Sequence, residues 1–233
     1  NMIRNWTGES TEEVFYELCD EYGMLVMNDF WLSTDGFNLN PLDYRLFIRN
    51  VTETVRRFRN HPSIALWCAR NEGFAPNELE YMLAATLAKE DGSRHYVGNS
   101  RSLNSSGSGP WRYQFDAGWY YRSLAGGFRS EVGTPSLPTA ETVREFMAEE
   151  DTWPISDVWY YHDWHNHRYG SKTFSELYKE GMDRKLGPSD NLDDFCRKAQ
   201  LINYESHRAI FEAWNSKMWN DASGVLLWMS HPA

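Results

Sequence analysis

The chain has 233 residues, 23 basic against 33 acidic side chains for a net charge of −10, and 15% aromatic residues including 11 Trp. That length suffices for one large domain or two small ones with a substantial core. The acidic balance shows no basic stripe of the kind a nucleic-acid partner needs, offers little attraction for an anionic membrane, and is interrupted by no apolar run long enough to span one.

Three cysteines, Cys19, Cys68 and Cys196, are an odd number at wide spacing, each inside a periodic or apolar segment. They read as small buried hydrophobes rather than a disulfide framework or a metal knuckle. Part of the aromatic content belongs to the core. The rest suits platforms for ring-shaped ligands, because the C–H face of a sugar packs well on an indole. The first residues do not read as a signal peptide. The chain opens directly into Met2-Ile3 and is expected to be a segment of a longer protein.

Met2–Trp6 reads as a short strand ending in Arg4, Asn5 and Trp6. Ser10 and Thr11 are expected to cap a helix with the apolar face Val14, Phe15, Leu18, Cys19 and Tyr22, stopped by Gly23. Met24–Met27 is a buried-strand run leading to Asn28, Asp29 and Trp31, so the unit is βαβ with parallel strands. After a loop over 33–41, Tyr44, Phe47, Ile48, Val51, Val55 and Phe58 recur at helical spacing until His61-Pro62. Strand Ile64–Ala69 then runs into Arg70-Asn71-Glu72. Pro76 opens a further helix through Leu79, Leu83 and Leu87, and Tyr96–Ser100 is the next strand.

A Ser/Gly-rich loop covers 101–110. Trp119-Tyr120-Tyr121 and Phe128-Arg129-Ser130 read as strand ends, and Thr139 caps a helix. Residues 151–172 form an aromatic, His-rich insertion. Phe174, Leu177 and Tyr178 mark a helix, Asp190 opens a long one reaching about Trp219, and Gly224–Met229 is the last strand.

Seven strands alternating with helices or long loops, and no glycine-rich turn after the first strand, favour a (β/α)8 TIM barrel over an open doubly wound sheet. The first β/α unit is expected to be missing, and residues 1–233 are read as one partial barrel domain. The strands end in Arg4/Trp6, Asp29/Trp31, Asn71/Glu72, Ser100/Arg101, Trp119/Tyr120, Glu131 and Trp228. Barrel enzymes keep their chemistry at such C-terminal strand ends. Arg4, Trp6, Asp29, Trp31, Asn71, Trp119, Tyr120 and Trp228 are therefore the candidate substrate-binding residues.

Glu72 and Glu131 each end an apolar strand. On barrel strands four and seven they would face each other, and two carboxyls about 5–5.5 Å apart, one protonated and one ionised, are what retaining glycoside hydrolysis uses. Asn71 can donate to a ring hydroxyl beside the reacting carbon. Arg4 can either orient a nucleophilic carboxylate or form a plain structural salt bridge. His162, Asp163, His165 and His167 invite a metal reading, but their spacing places no pair at i, i+4. An aromatic lid or packed loop is the preferred alternative, and neither a metal nor another cofactor is expected.

Asn1–Arg4, Phe15–Val26, His61–Glu72 and Phe128–Gly133 together resemble the catalytic barrel of family 2 glycoside hydrolases. Asn191–Gln200 and Leu227-Trp228-Met229 are most similar to the subgroup of exo-β-glucosaminidases and β-mannosidase-like enzymes. The resemblance implies retaining hydrolysis of a terminal β-linked sugar in an oligosaccharide or glycoside. Glu72 would be the acid/base, Glu131 the nucleophile and Arg4 its support, with Asn71 meeting the 2-substituent. A Tyr from 119–121 would lie near the nucleophile and Trp228 in the floor of the sugar pocket. Flanking β-sandwich domains and a periplasmic or secreted location are also implied. Trp6 and the Asn71-Glu72 pair stand where exo-β-glucosaminidases carry acids for the substrate amine, which moves the expectation towards mannosides or other neutral sugars. A β-galactosidase, a β-glucuronidase and a non-catalytic carbohydrate-binding barrel are the alternatives.

Overall fold

Strands and helices alternate through the first hundred residues of the computed structural model, which describes residues 1–34, 40–102, 105–162, 164 and 168–229. The order is β1 (Met2–Asn5), α1 (Glu13–Tyr22), β2 (Leu25–Asp29), α2 (Tyr44–Phe58), β3 (Ile64–Cys68), α3 (Asn77–Glu90) and β4 (His95–Val97). There follow β5 (Gly127–Val132), α4 (Ala140–Phe146), α5 (Glu149–Thr152), α6 (Asp157–Tyr161), β6 (Arg168–Tyr169), β7 (Lys172–Thr173), α7 (Phe174–Leu186), α8 (Leu192–Lys217) and β8 (Ala222–Leu227). Two compact units divide the chain. The first is 1–108 with 127–131 and 224–227; the second is 109–126, 132–223 and 228–233.

In the first unit β1, β2, β3 and β4 form one parallel sheet in sequence order, as the βαβ reading requires. Alternation, interrupted in β3 by a register shift that pairs Val26 with Ile64 and Met27 with Leu66, decides which side chains go where, since successive residues of a strand face opposite ways. Val26, Ile64, Trp67 and Ala69 join Tyr16, Phe30, Val51, Val55, Phe58, Leu79 and Leu83 in the larger apolar core. Met27, Cys68 and Val97 pack on the other side with Met2, Leu66, Phe128 and Leu226. Arg4 is two residues beyond Met2, and Asp29 two beyond Met27, so both polar groups leave that second face at the C-terminal strand ends. The register pairs Arg4 with Met27 and Asp29 with Cys68. β5 and β8 pair in a separate two-stranded sheet.

Polar residues on the opposite face are satisfied among themselves. Asn5 Nδ2 donates to Asn28 Oδ1 at 2.8 Å and Tyr16 Oη donates to the same oxygen at 2.7 Å. Helix α1 ends as expected, with Gly23 in the left-handed region at φ 64° and the Met24 N–H bonded to Cys19 O at 2.8 Å. Its start differs. Glu12 is the N-cap residue, while the Ser10 backbone is taken up by Asn5: the Ser10 N–H donates to Asn5 Oδ1 at 2.9 Å and Ser10 O accepts from Asn5 Nδ2 at 2.9 Å.

The second unit builds its core from Tyr113, Val143, Trp159, Tyr178, Met182, Phe195, Ala199 and Ile202. Thr139 caps α4 as predicted, accepting from the Thr142 N–H. α7 starts with a capping box between Thr173 and Glu176, and α8 is capped by Asn191, one residue after the predicted Asp190. The predicted strand at Trp119–Tyr121 is instead a single turn of π-helix over Tyr120–Leu124. Adjacent aromatics carry no period that separates the two conformations, and here the turn packs on α8. The 151–172 insertion holds α5, α6 and the β6–β7 hairpin; Asp163, His165 and His167 lie outside the described residues. No helix among the described residues is long and apolar enough to cross a membrane.

Candidate active site

Arg4 is the hub of the first unit's polar strand ends. Its Nε donates to both oxygens of Asp29 at 3.2 Å, and its Nη2 donates to Asp29 Oδ2 at 2.6 Å and to Asn71 Oδ1 at 2.7 Å. Nη1 donates to Glu131 Oε2 at 2.8 Å. One planar fork therefore fixes three groups delivered by β2, by the segment after β3 and by β5, which a point-charge lysine cannot do. The two Arg4 readings merge, because the same side chain makes a buried salt bridge with Asp29 and holds Glu131.

Asp29 is fully buried and takes a further bond from the Thr7 N–H at 3.2 Å. Asn71 is also buried. Its Oδ1 accepts from Ser100 Oγ at 3.1 Å, and its Nδ2 donates to Thr34 Oγ1 at 2.7 Å. That leaves one amide hydrogen on Nδ2 beyond the bond to Thr34.

Glu72 has φ 42°, in the left-handed region, and its N–H donates to Ser100 Oγ at 3.0 Å. Its Oε1 accepts from Ser108 Oγ, and Arg101 Nη1 lies 3.6 Å from Oε2.

Charge in the site is unevenly shared. Burial pushes Glu131 up to about 7; Arg4 opposes this, while the charges of Glu72 and Asp29 add to it. Burial also raises Asp29, with Arg4 pulling it back. Burial alone would lower Arg4, but Asp29 and Glu131 outweigh it and hold the guanidinium above its ordinary range.

The aromatic candidates fall in different places. Trp6 sits half-buried in a 3-10 turn directly after β1. Trp31 packs edge-on to Phe47, with ring centroids 5.9 Å apart, and Gly8 lies against it, where an added Cβ would come 3.2 Å from Trp31 Nε1. Trp119, Tyr120 and Trp228 belong to the second unit. Tyr120 is buried and paired edge-to-face with Trp119 at 5.7 Å. Trp228 donates its N–H to Val132 O at 2.8 Å and meets Trp111 edge-to-face at 6.5 Å. Those two indoles, with Trp159, Trp164, Asn203 and His207, line a cavity of about 710 Å³ in the second unit.

Sequence reasoning missed Ser108 and Thr34. Ser108 sits in a loop of Ser and Gly without any periodic signal, and Thr34 in an irregular one. Ser100 and Arg101 were visible as strand-end residues but received no role. Among the described residues no group of three or more His, Cys, Asp and Glu is placed to hold a metal. The ring of His162 packs 4.8 Å from Phe146.

Comparison with known proteins places the chain in a family. Residues 10–181 match glycosyl hydrolases family 2, TIM barrel domain. The mannosylglycoprotein endo-beta-mannosidase of Lilium longiflorum is 32% identical over 98% of this chain and 29% of its own length. An exo-beta-D-glucosaminidase of Streptomyces avermitilis is 30% identical over 98% of this chain and 28% of its own. The crystal structure of beta-D-mannosidase from Dictyoglomus thermophilum superposes with a TM-score of 0.77 at 26% identity, covering 98% of this chain and 30% of that one. The chain thus spans under a third of these relatives' length. With most of its length matched and an α/β order of elements to go with it, the chain belongs to glycosyl hydrolase family 2 and lies in that family's TIM barrel domain.

Proposed function

We propose that the full-length protein hydrolyses a terminal β-linked glycoside with retention of configuration, using Glu131 as nucleophile and Glu72 as acid/base. The observation that carries this reading is the Arg4 guanidinium seated on Asp29, Asn71 and Glu131 at 2.6–2.8 Å, with the Glu72 charge near enough to act on Glu131. Glu131 attacks the anomeric carbon and the bond to the leaving oxygen breaks as Glu72 gives that oxygen its proton. Glu72 then takes a proton from water, which attacks the same carbon and frees Glu131. The Arg4 Nη1 donor 2.8 Å from Glu131 Oε2 aims that oxygen and favours its ionised, attacking form against the burial that raises it.

The sugar we favour is mannose. Two relatives named as mannosidases support it, as does the absence of a second acid next to Glu72, where Asn71 stands. We also take the chain to be part of a longer protein that holds a first β/α unit and flanking β-sandwich domains elsewhere; the support is that the chain spans under a third of its relatives' length.

The test is a panel of aryl β-glycosides with the full-length protein, followed by labelling with a 2-deoxy-2-fluoro glycosyl fluoride. Turnover of the β-mannoside and a label on the peptide bearing Glu131 are expected. No turnover across the panel, or a label on another carboxylate, overturns the assignment.

A further inference from the structure

Glu72 is gripped at both of its oxygens, and the two grips differ in kind. Arg101 approaches Oε2 at 3.6 Å with its side chain 50% exposed, so solvent screens the pair and the arginine can be displaced. Ser108 donates to Oε1 from a loop that is itself fastened to β5, the strand carrying Glu131. The Ser106 N–H donates to Phe128 O at 2.8 Å, Ser106 bridges to Arg129, and Arg129 Nη1 donates to Ser108 O at 3.3 Å. The serine hydroxyl is therefore held by the strand of one carboxylate and aimed at the other.

We infer that Ser108 is a positioning residue for proton transfer by Glu72. A carboxylic acid accepts at its carbonyl oxygen and donates from the other. With the Ser108 hydroxyl donating to Oε1, Oε2 is the oxygen left to carry the proton in the acid form; Arg101, which has only donors, pairs with Oε2 in the ionised form and gives way when that proton is in place. A leaving-group oxygen entering there replaces Arg101 and receives that proton, and in the second step the same Oε2 accepts the proton of water. The Ser108 bond is kept throughout and stops the side chain rotating away from its strained backbone. Among the described residues, the charged groups placed around Glu72 are Arg101, Arg129 through the Ser108 carbonyl, and Glu131 through its field.

This inference rests on the acid/base role proposed for Glu72, and the experiment separates the two. In the full-length protein, Ser108→Ala, Ser108→Thr and Glu72→Ala are compared on a dinitrophenyl glycoside, which leaves without a proton, and on the methyl or phenyl glycoside of the same sugar, which needs one. For Ser108→Ala, kcat/KM on the poor leaving group falls by about 10-fold or more, while on the dinitrophenyl substrate it stays within about 2-fold. On the latter substrate kcat and KM fall together, because water activation has slowed. Ser108→Thr, which keeps the hydroxyl, restores most of the loss. An equal loss on both leaving groups, or none on either, overturns the inference. Glu72→Ala must show the same selectivity more strongly and regain turnover with azide as the glycosyl azide; if it retains turnover of the poor leaving group, the acid/base reading itself fails.

Discussion

Arg4 and Glu131 are 127 positions apart in sequence and joined by a 2.8 Å bond in which both side chains are more than nine-tenths buried. Burying two such charges is costly unless further hydrogen bonds complete them, and Asp29 and Asn71 supply those on the arginine side. On the proposed reading, the same atoms serve folding and chemistry. Arg4→Met leaves Asp29 and Glu131 as uncompensated buried acids and is expected to cost about 3–5 kcal/mol in urea unfolding. Arg4→Lys keeps the charge but not the fork, so stability falls less while kcat/KM falls by about 100-fold. Near-parental activity in the lysine variant would show that the fork geometry is irrelevant.

Glu131 gives a stability prediction with a definite sign. Its carboxyl sits at about 7 in the fold against an ordinary 4.5, so the folded state holds the proton more tightly than the unfolded chain. That contribution is fully present below pH 4.5 and is lost as pH rises through 7. Glu131→Gln cannot take part in this loss. Relative to the parent, the glutamine variant is expected to gain on the order of 3 kcal/mol between pH 4.5 and pH 8, with turnover abolished. Urea midpoints of both proteins across that range provide the check, and parallel pH profiles would refute it.

How much of this was readable beforehand follows from what each pattern encodes. Short apolar runs mark β1 to β3 and helical spacing marks α2 and α3 nearly to the residue, whereas the face that Arg4 and Asp29 share with Met2 and Met27 comes from the structure. An acid after an apolar run is by itself a modest signal, and Glu72 and Glu131 stand out as candidates because two such runs each carry one. The three-way grip of Arg4 was not legible, since it depends on parallel register and on β5, which is remote in the chain. The Trp119–Tyr121 turn was misread because consecutive aromatics fit either conformation. Ser108 left no trace because its role lies in where its loop is tied down.

Asp29 also tunes Glu131, and its removal separates charge from geometry. Its negative charge raises Glu131, and it occupies Arg4 Nε and part of Nη2. In Asp29→Asn the Arg4 charge is no longer shared, so Glu131 ionises at lower pH. The acid limb of kcat/KM, expected near the Glu131 value of about 7 in the parent, is expected to move down by about one unit. The plateau rate drops as well, because Arg4 is less firmly aimed. An unmoved limb would mean that Glu131 does not govern it.

The three thiols are expected to be inert. Cys19, Cys68 and Cys196 are all buried and free; burial holds Cys68 well above the ordinary thiol range and pushes Cys196 up to about 11. Brief alkylation of the native protein, followed by mass analysis of the three peptides, should find them unmodified, and all three modified after unfolding in urea. Rapid native labelling of Cys68 would mean that the Met27–Val97 side of the sheet is open to solvent.

Gly8 provides the sharpest steric test of the strand ends. It has φ 67°, and a Cβ there would meet Asp29 O at 2.7 Å and the Trp31 indole nitrogen at 3.2 Å. The first neighbour is backbone of the strand that carries the Arg4 partner, so it cannot yield without moving that strand. Gly8→Ala therefore combines a left-handed conformation with a clash, at an expected cost of about 2–4 kcal/mol. Because the displaced strand end bears Asp29, the aim of Arg4 is disturbed too, and kcat/KM should fall by about 10-fold or more in molecules that remain folded. Gly23→Ala serves as the control. Gly23 has φ 64° but nothing within 4 Å of its added Cβ, so it should lose only the conformational part, about 1 kcal/mol, with kcat/KM unchanged. Equal losses of stability and activity in the two variants would show that the close approach of Gly8 to Asp29 contributes nothing to holding the site.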